Sequence, residues 1–282
     1  MTAQVAELVG LGFIPAFLLL DFVVRRRKFD ATRFWRIKAF GVSATIFLIS
    51  MAVTIAWGSL LAGISLFDLS GLGTIAGAVT GILVYELLHY GYHRLAHGWD
   101  PLWLSAHQMH HSAESLDAFG AYYLHPLDSI LFTTLGSLVF FPLLGLTPAA
   151  GAVAGGFLIF NAMFQHANVR TPRWVGYVIQ RPESHSLHHA RGVHRYNYSD
   201  LPLWDMLFGT FRNPAEMEPE VGFYRGASDR LLSMLIGRDV SSPPPGSGLA
   251  GQAMAVRAES AARAARANAS PAAATRESGV AA

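Results

Sequence analysis

Five stretches of this chain are apolar over nearly the length that crosses a lipid bilayer, and nothing else restricts its fold as strongly. A spanning helix needs about 20 mostly apolar residues. Leu8–Val24, Ala39–Leu61, Leu72–Leu88 (running on to His97), Leu127–Leu146 and Pro148–Gln165 have that character. In hydrocarbon the backbone must satisfy its own hydrogen bonds, so such runs are read as helices. Charged residues make up only 14% of the chain, against about 25% in soluble domains, and the mean hydropathy is +0.32. The expected fold class is therefore an all-α integral membrane protein with about four to five transmembrane or re-entrant helices. Gly145-Leu146-Thr147-Pro148 joins the last two runs as a tight helical hairpin.

The first apolar run precedes its basic cluster, Arg25–Lys28, which is the reverse of a signal peptide, so it is read as a retained spanning helix. Asp21 would cost about 2.5–3.5 kcal/mol at the bilayer centre. One turn from the basic cluster, it is expected to snorkel at the membrane edge. Arg25, Arg26, Arg27, Lys28, Arg33, Arg36 and Lys38 crowd the first loop, which the positive-inside rule puts in the cytoplasm. Counting helices onward, both histidine-rich segments emerge on that same face; one helix more or fewer between them would have split them. The expected location is an integral membrane protein with its histidines on the cytoplasmic face, in the inner membrane if the cell is bacterial. Residues 1–240 are read as one membrane domain, and the Ala/Pro/Ser/Arg-rich residues 241–282 as a disordered tail. The net charge of +2 gives no reason to invoke nucleic acid, and the absence of cysteine excludes disulfides, iron–sulfur clusters and Cys-ligated zinc within this sequence.

All twelve histidines fall between His89 and His194. Two pentads read His-x-x-His-His, at His107–His111 and His185–His189; chance would place such a pentad in this chain roughly 0.02 times. Imidazole is the neutral nitrogen ligand available near neutral pH, and it suits iron, zinc, copper and nickel. On a helix, residues three and four apart share a face, so each pentad is expected to aim its rings at one point. His89, His93 and His97 form a further stripe at i, i+4, i+8. So many imidazoles exceed the needs of one zinc and fit two metals held in a cytoplasmic helical cap. Carboxylates are expected to orient the rings from behind, with Glu86, Asp117, Asp128, Glu183 and Asp205 as candidates. Tyr122 and Tyr123 are read either as lining a substrate slot or as interfacial tyrosines.

The stretch His93–Ser112, HRLAHGWDPLWLSAHQMHHS, resembles the HRxxH…LWxxHxxHH signature of the fatty acid hydroxylase/sterol desaturase superfamily. His185–Phe211, HSLHHARGVHRYNYSDLPLWDMLFGTF, is similar to that family's HxxHH…NYG…LWDxxFGT ending. His125-Pro126-Leu127-Asp128 and Gln165-His166-Ala167-Asn168 match two intervening elements, so the likeness runs from about Gly81 to Pro214. It departs at Ser199, where the family usually has Gly, and at Arg170, where some members carry a further ligand His. The resemblance implies a non-haem di-iron enzyme that uses O2 to hydroxylate or desaturate a sterol, fatty acyl or related lipid. It implies metal ligands at His93, His97, His107, His110, His111, His166, His185, His188 and His189. His89, His125 and His194 stay open between ligand, outer hydrogen-bond partner and structural roles, no catalytic residue is assigned beyond the metal ligands, and Trp204 and Asp205 are read as fixing the cap. The cofactors implied are two Fe ions with O2 as co-substrate. The partners are a membrane lipid and a separate electron donor (ferredoxin, cytochrome or reductase), since no Gly-x-Gly-x-x-Gly fingerprint follows a strand. Three rival readings fit less well. A zinc protease would want His-Glu-x-x-His, a bis-His haem electron carrier would place isolated pairs in mid-membrane, and a metal transporter would string its ligands across the bilayer.

Overall fold

The computed structural model describes residues 2–24 and 26–247. Of the tail expected at 241–282, all but residues 241–247 lie outside the described residues. Among the described residues, five helices are long and apolar enough to cross a membrane: α1 (Ala3–Val23), α2 (Trp35–Leu60), α3 (Gly73–Gly98), α5 (Pro126–Leu143) and α6 (Pro148–His166). Between α3 and α5 lies the bent segment α4, residues 100–111, whose central turn Trp103–His107 is a π-helix. Short helices α7 (Pro182–His188), α8 (Pro202–Leu207) and α9 (Leu231–Leu235) complete a cap. Among the described residues there is no strand, only the isolated bridge Ala190–Val221.

Helix starts follow local chemistry. Thr147 caps α6 by accepting from the Ala150 N–H at 3.2 Å, with Pro148 as first helical residue. His125 does the same for α5: its Nδ1 accepts from the Leu127 N–H at 3.0 Å ahead of Pro126. The hairpin expected at 145–148 is present. Gly145 has φ 59°, and a Cβ there would stand 2.3 Å from the Phe67 carbonyl oxygen, so only glycine turns the chain at this point.

Large apolar side chains such as Leu8, Ile37 and Ile75 point outward along the helices, as bilayer-facing residues must. Helices α1 and α6 approach closely through small residues: a Cβ on Gly10 would lie 2.8 Å from the Gly156 Cα. Trp35, Met109, Phe119, Tyr123, Phe223 and Met234 form a core that joins the start of α2 to the cap.

Asp21 corrects the sequence expectation. It does not snorkel; it is fully buried, and its carboxylate accepts from the backbone N–H of Ala118 and, at 3.1 Å, of Asn168. Two backbone donors from two cap segments offset the burial of the charge, so Asp21 pins the end of α1 to the cap.

Candidate metal centre

Nine histidines converge in two groups. His93, His97, His107, His111 and His188 form one; His110, His166, His185 and His189 form the other. Within each group one ligand nitrogen per ring lies within 4.8 Å of every other. These are the nine positions singled out in the sequence, but one expectation fails. A pentad does not aim at one point. His107 and His111 go to the first group while His110 goes to the second; His185 and His189 go to the second while His188 goes to the first. The helical period explains the exchange: i and i+4 share a face, whereas consecutive residues point about 100° apart. The adjacent pairs His110–His111 and His188–His189 therefore straddle the boundary, and His111 stacks on His189 across it with ring centroids 4.2 Å apart.

The rings are oriented from behind. His93 Nδ1 donates to the Tyr198 carbonyl (2.7 Å), His188 Nδ1 to the Tyr196 carbonyl (2.7 Å) and His166 Nδ1 to the Ala162 carbonyl (2.8 Å). His107 Nδ1 lies 2.8 Å from Asp128 Oδ2, and the other Asp128 oxygen accepts from the Tyr92 hydroxyl at 2.6 Å. With Nδ1 protonated and directed outward, each ring turns an unshared pair on Nε2 inward. The loop supplying two of these carbonyls is sharply turned, with His194, Tyr196 and Asn197 at φ 42°, 72° and 51°.

The inward nitrogens meet at His93–His107 (3.0 Å), His107–His111 (3.1 Å), His166–His185 (3.1 Å) and His110–His166 (3.3 Å). Metal–nitrogen bonds of about 2.1 Å put two ligands of one ion about 3.0 Å apart at a right angle and about 3.4 Å apart at the tetrahedral angle. Facing lone pairs at such distances repel unless a cation draws them together. Nε2 of His97, His188 and His189 is buried with no hydrogen-bond partner among the described residues. The donor set fits metal ions.

Electrostatics point the same way. Burial, reinforced by neighbouring rings, holds the imidazoles of His110, His111, His185, His188 and His189 well below their ordinary pKa of 6.5. They are neutral at physiological pH, the form that ligates.

The remaining candidates separate. His194 Nδ1 lies 3.1 Å from His111 Nδ1, beside the first group. His125 is the helix cap described above, and its Nε2 lies 3.4 Å from the Leu235 carbonyl. His89 belongs to neither group and sits with Glu86 and Asp200. Arg170 makes an exposed ion pair with Glu216 at 2.9 Å. Of the five carboxylates expected behind the rings, Asp128 touches a clustered histidine and Glu86 lies 3.7 Å from His89. The other three satisfy other buried donors instead. Asp117 accepts from the Trp35 indole, Glu183 from the Thr171 N–H and hydroxyl, and Asp205 from the N–H groups of Tyr198 and Ser199 and the Thr210 hydroxyl. Burial pushes the Asp205 carboxyl up to about 6 against those hydrogen bonds. Asp200 and the turned loop at 194–197 escaped the sequence reading; His194 and Asn197 are residue types that tolerate left-handed backbone, but no glycine marks the turn there.

An apolar cavity of about 440 Å³ opens between α1 and α2, lined among others by Leu18, Phe47, Ala118, Tyr122 and Met163. The two tyrosines thus part company: Tyr122 lines the cavity, while Tyr123 is core and its hydroxyl donates to the Ser228 carbonyl at 2.7 Å. Met163, which lines the cavity, and His166 of the four-histidine group lie three residues apart on α6.

Residues 78–210, which hold both histidine groups, match the fatty acid hydroxylase family. That match and the relatives below fit the fatty acid hydroxylase/sterol desaturase superfamily. Sphinganine C4-monooxygenase 1 of Arabidopsis thaliana is 27% identical over 137 residues, covering 47% of this chain and 53% of that protein. An ornithine lipid hydroxylase of Rhizobium tropici is 31% identical over 141 residues, 48% of this chain and 42% of that one. A Delta(7)-sterol-C5(6)-desaturase of Nicotiana tabacum is 28% identical over 167 residues, 57% of this chain and 58% of that one. The chain thus spans about half the length of these curated relatives. No solved structure matches. The chain is an integral membrane protein whose clustered histidines form a candidate metal centre.

Proposed function

We propose that this chain is a non-haem di-iron oxidoreductase that uses O2 to hydroxylate or desaturate a C–H bond of a membrane lipid. The observation that carries the reading is the pair of adjoining histidine groups, five and four rings, whose inward nitrogens stand at ligand-to-ligand distances. His93, His97, His107, His111 and His188 would hold one iron and His110, His166, His185 and His189 the other. The bound irons would supply O2 activation, an oxidising power that side chains lack. The protein's own part is to keep the imidazoles neutral, fix their tautomers through Asp128 and the carbonyls of Ala162, Tyr196 and Tyr198, and exclude water. The apolar cavity between α1 and α2 is suited to take a lipid chain from the bilayer and lay it toward the His166 end of α6. Neighbouring rings in mutual contact leave no slot for a haem macrocycle, so the haem reading finds no support.

The histidine cap is proposed to face the cytoplasm. The basic first loop lies against that cap, with the Arg26 N–H donating to the Asn168 carbonyl at 3.0 Å and the Arg27 guanidinium to the Met217 carbonyl at 3.0 Å. Electrons are proposed to come from a separate ferredoxin, cytochrome or reductase.

Elemental analysis and optical spectroscopy test the metal. At least two irons per chain without a Soret band are expected, whereas a Soret band, or one zinc with no iron, overturns the reading. Lipidomics of membranes with and without the protein tests the reaction: a lipid gaining one oxygen or losing two hydrogens is expected, and neither should appear with His188→Ala.

A further inference from the structure

We propose that Glu86, His89 and Asp200 form a third metal site, distinct from the two histidine groups, for a single divalent first-row cation. Glu86 and His89 lie on α3, with His89 one turn before His93; Asp200 follows the turned loop that comes after the second pentad. One potential ligand atom from each of the three lies within 4.8 Å of the other two.

The site has atoms awaiting a partner. One Glu86 oxygen is occupied, accepting from the Ser199 hydroxyl (2.9 Å) and the N–H groups of Asp200 (2.8 Å) and Leu201 (3.3 Å). Its other oxygen, Oε1, is buried with no hydrogen-bond partner among the described residues. His89 Nδ1 is likewise buried; it makes no hydrogen bond within 3.5 Å among the described residues and faces Glu86 Oε2 at 3.7 Å. Glu86 is 0% and His89 8% exposed, so water does not satisfy these atoms from outside. The Asn161 side chain, 0% exposed, interacts with Asp200, and its amide makes no other hydrogen bond among the described residues. It offers a neutral oxygen as a fourth ligand.

Charge gives the second argument. Two buried carboxylates share this pocket; the ion pairs among the described residues bring no Lys or Arg to either, and His89 is the one ionisable base facing them there. Buried charges need a partner. A divalent ion would neutralise both and use the His89 imidazole nitrogen as well. Carboxylate oxygens with one imidazole suit manganese, iron or zinc; the nitrogen disfavours calcium and magnesium. The ion would clamp the Ser199–Leu201 turn to α3. Tyr198, immediately before that turn, holds His93 Nδ1 by its carbonyl. On the other side Asp200 accepts from the Gln165 amide (3.1 Å), Gln165 accepts from Gln180 (2.9 Å), and the Gln180 nitrogen lies 3.2 Å from His185 Nδ1. The third site thereby touches the scaffolds of both histidine groups.

The test is the metal content of the full chain in detergent, measured by mass spectrometry on wild type, His89→Phe and Asp200→Asn. His89→Phe keeps a ring to stack on Tyr85 and His93 and removes only the ligand nitrogen. Glu86→Ala is avoided, because it would strip three donors of their acceptor. Three ions per wild-type chain and two in either variant are expected. In a manganese(II) titration of metal-stripped protein followed by electron paramagnetic resonance, His89→Phe should bind one ion fewer than wild type. Equal metal content in all three proteins would overturn the proposal and leave a shared proton between the carboxylates as the explanation. The outcome is separable from the di-iron reading. A wild-type content of one ion that disappears in His89→Phe would sink that reading and keep this site. Two ions untouched by His89→Phe would do the reverse.

Discussion

Asp128 shows how one side chain determines what a ligand offers. Its Oδ2 accepts from His107 Nδ1 and so leaves Nε2 unprotonated toward the five-histidine group. Asp128→Asn can present an amide N–H instead, which selects the opposite tautomer and spoils His107 as a donor. Metal affinity should fall about 10–100-fold, as when such outer partners are removed elsewhere, with chelator competition as the measurement. The rings themselves predict an acid limit. In the fold, His110, His111, His185, His188 and His189 titrate well below 6.5, whereas the unfolded chain takes up protons near 6.5. Below that pH the unfolded state binds more protons, so the metal-free protein loses stability as pH falls, by up to about 1.4 kcal/mol per pH unit for each ring. Thermal melts of the stripped protein should be flat above pH 7.5 and drop steadily from 6.5 to 5.5; a flat profile there would contradict the neutral cluster.

At the scale of elements, the centre depends on a loop as well as on the helices that carry its rings. The carbonyls of Tyr196 and Tyr198 orient His188 and His93, and this turned segment is held by Asp205, which accepts two backbone N–H groups and the Thr210 hydroxyl. Asp205→Ala would leave three buried or half-buried donors without an acceptor. At about 1–3 kcal/mol per unsatisfied group, the loss should reach about 3 kcal/mol or more. A lowered melting temperature together with weaker metal retention is expected, and full metal affinity in the variant would detach the loop from the centre. The elements also show what local reading reaches. Apolar length foretold all five spanning helices to within about a turn or so at most ends, because a bilayer demands that length of backbone. The same reading put Asp21 at the water boundary, because its acceptor role depends on Ala118 and Asn168, about a hundred residues or more away in sequence.

Across the whole molecule, the cavity between α1 and α2 is lined by Met163 of α6, three residues before His166. Ala44 lines that cavity from α2. Ala44→Phe should shorten the lipid chain the protein accepts, with discrimination of about 10-fold or more per few methylenes lost, while leaving metal content unchanged. Product profiles from a series of chain lengths would reveal the shift; an unaltered profile would place the substrate elsewhere.

Sequence alone determined the helices that span and the nine imidazoles that crowd together, because apolar length and ligand chemistry are properties of short stretches. The partition of those rings was decided only by tertiary packing. Each pentad serves both groups, and which ring faces which group depends on how α3, α4, α6 and α7 meet. Glu86, His89 and Asp200 are likewise brought together by a contact spanning 114 residues. A carboxylate's neighbours across the fold are not written beside it in the chain, so its role emerges only when the chain has closed around it.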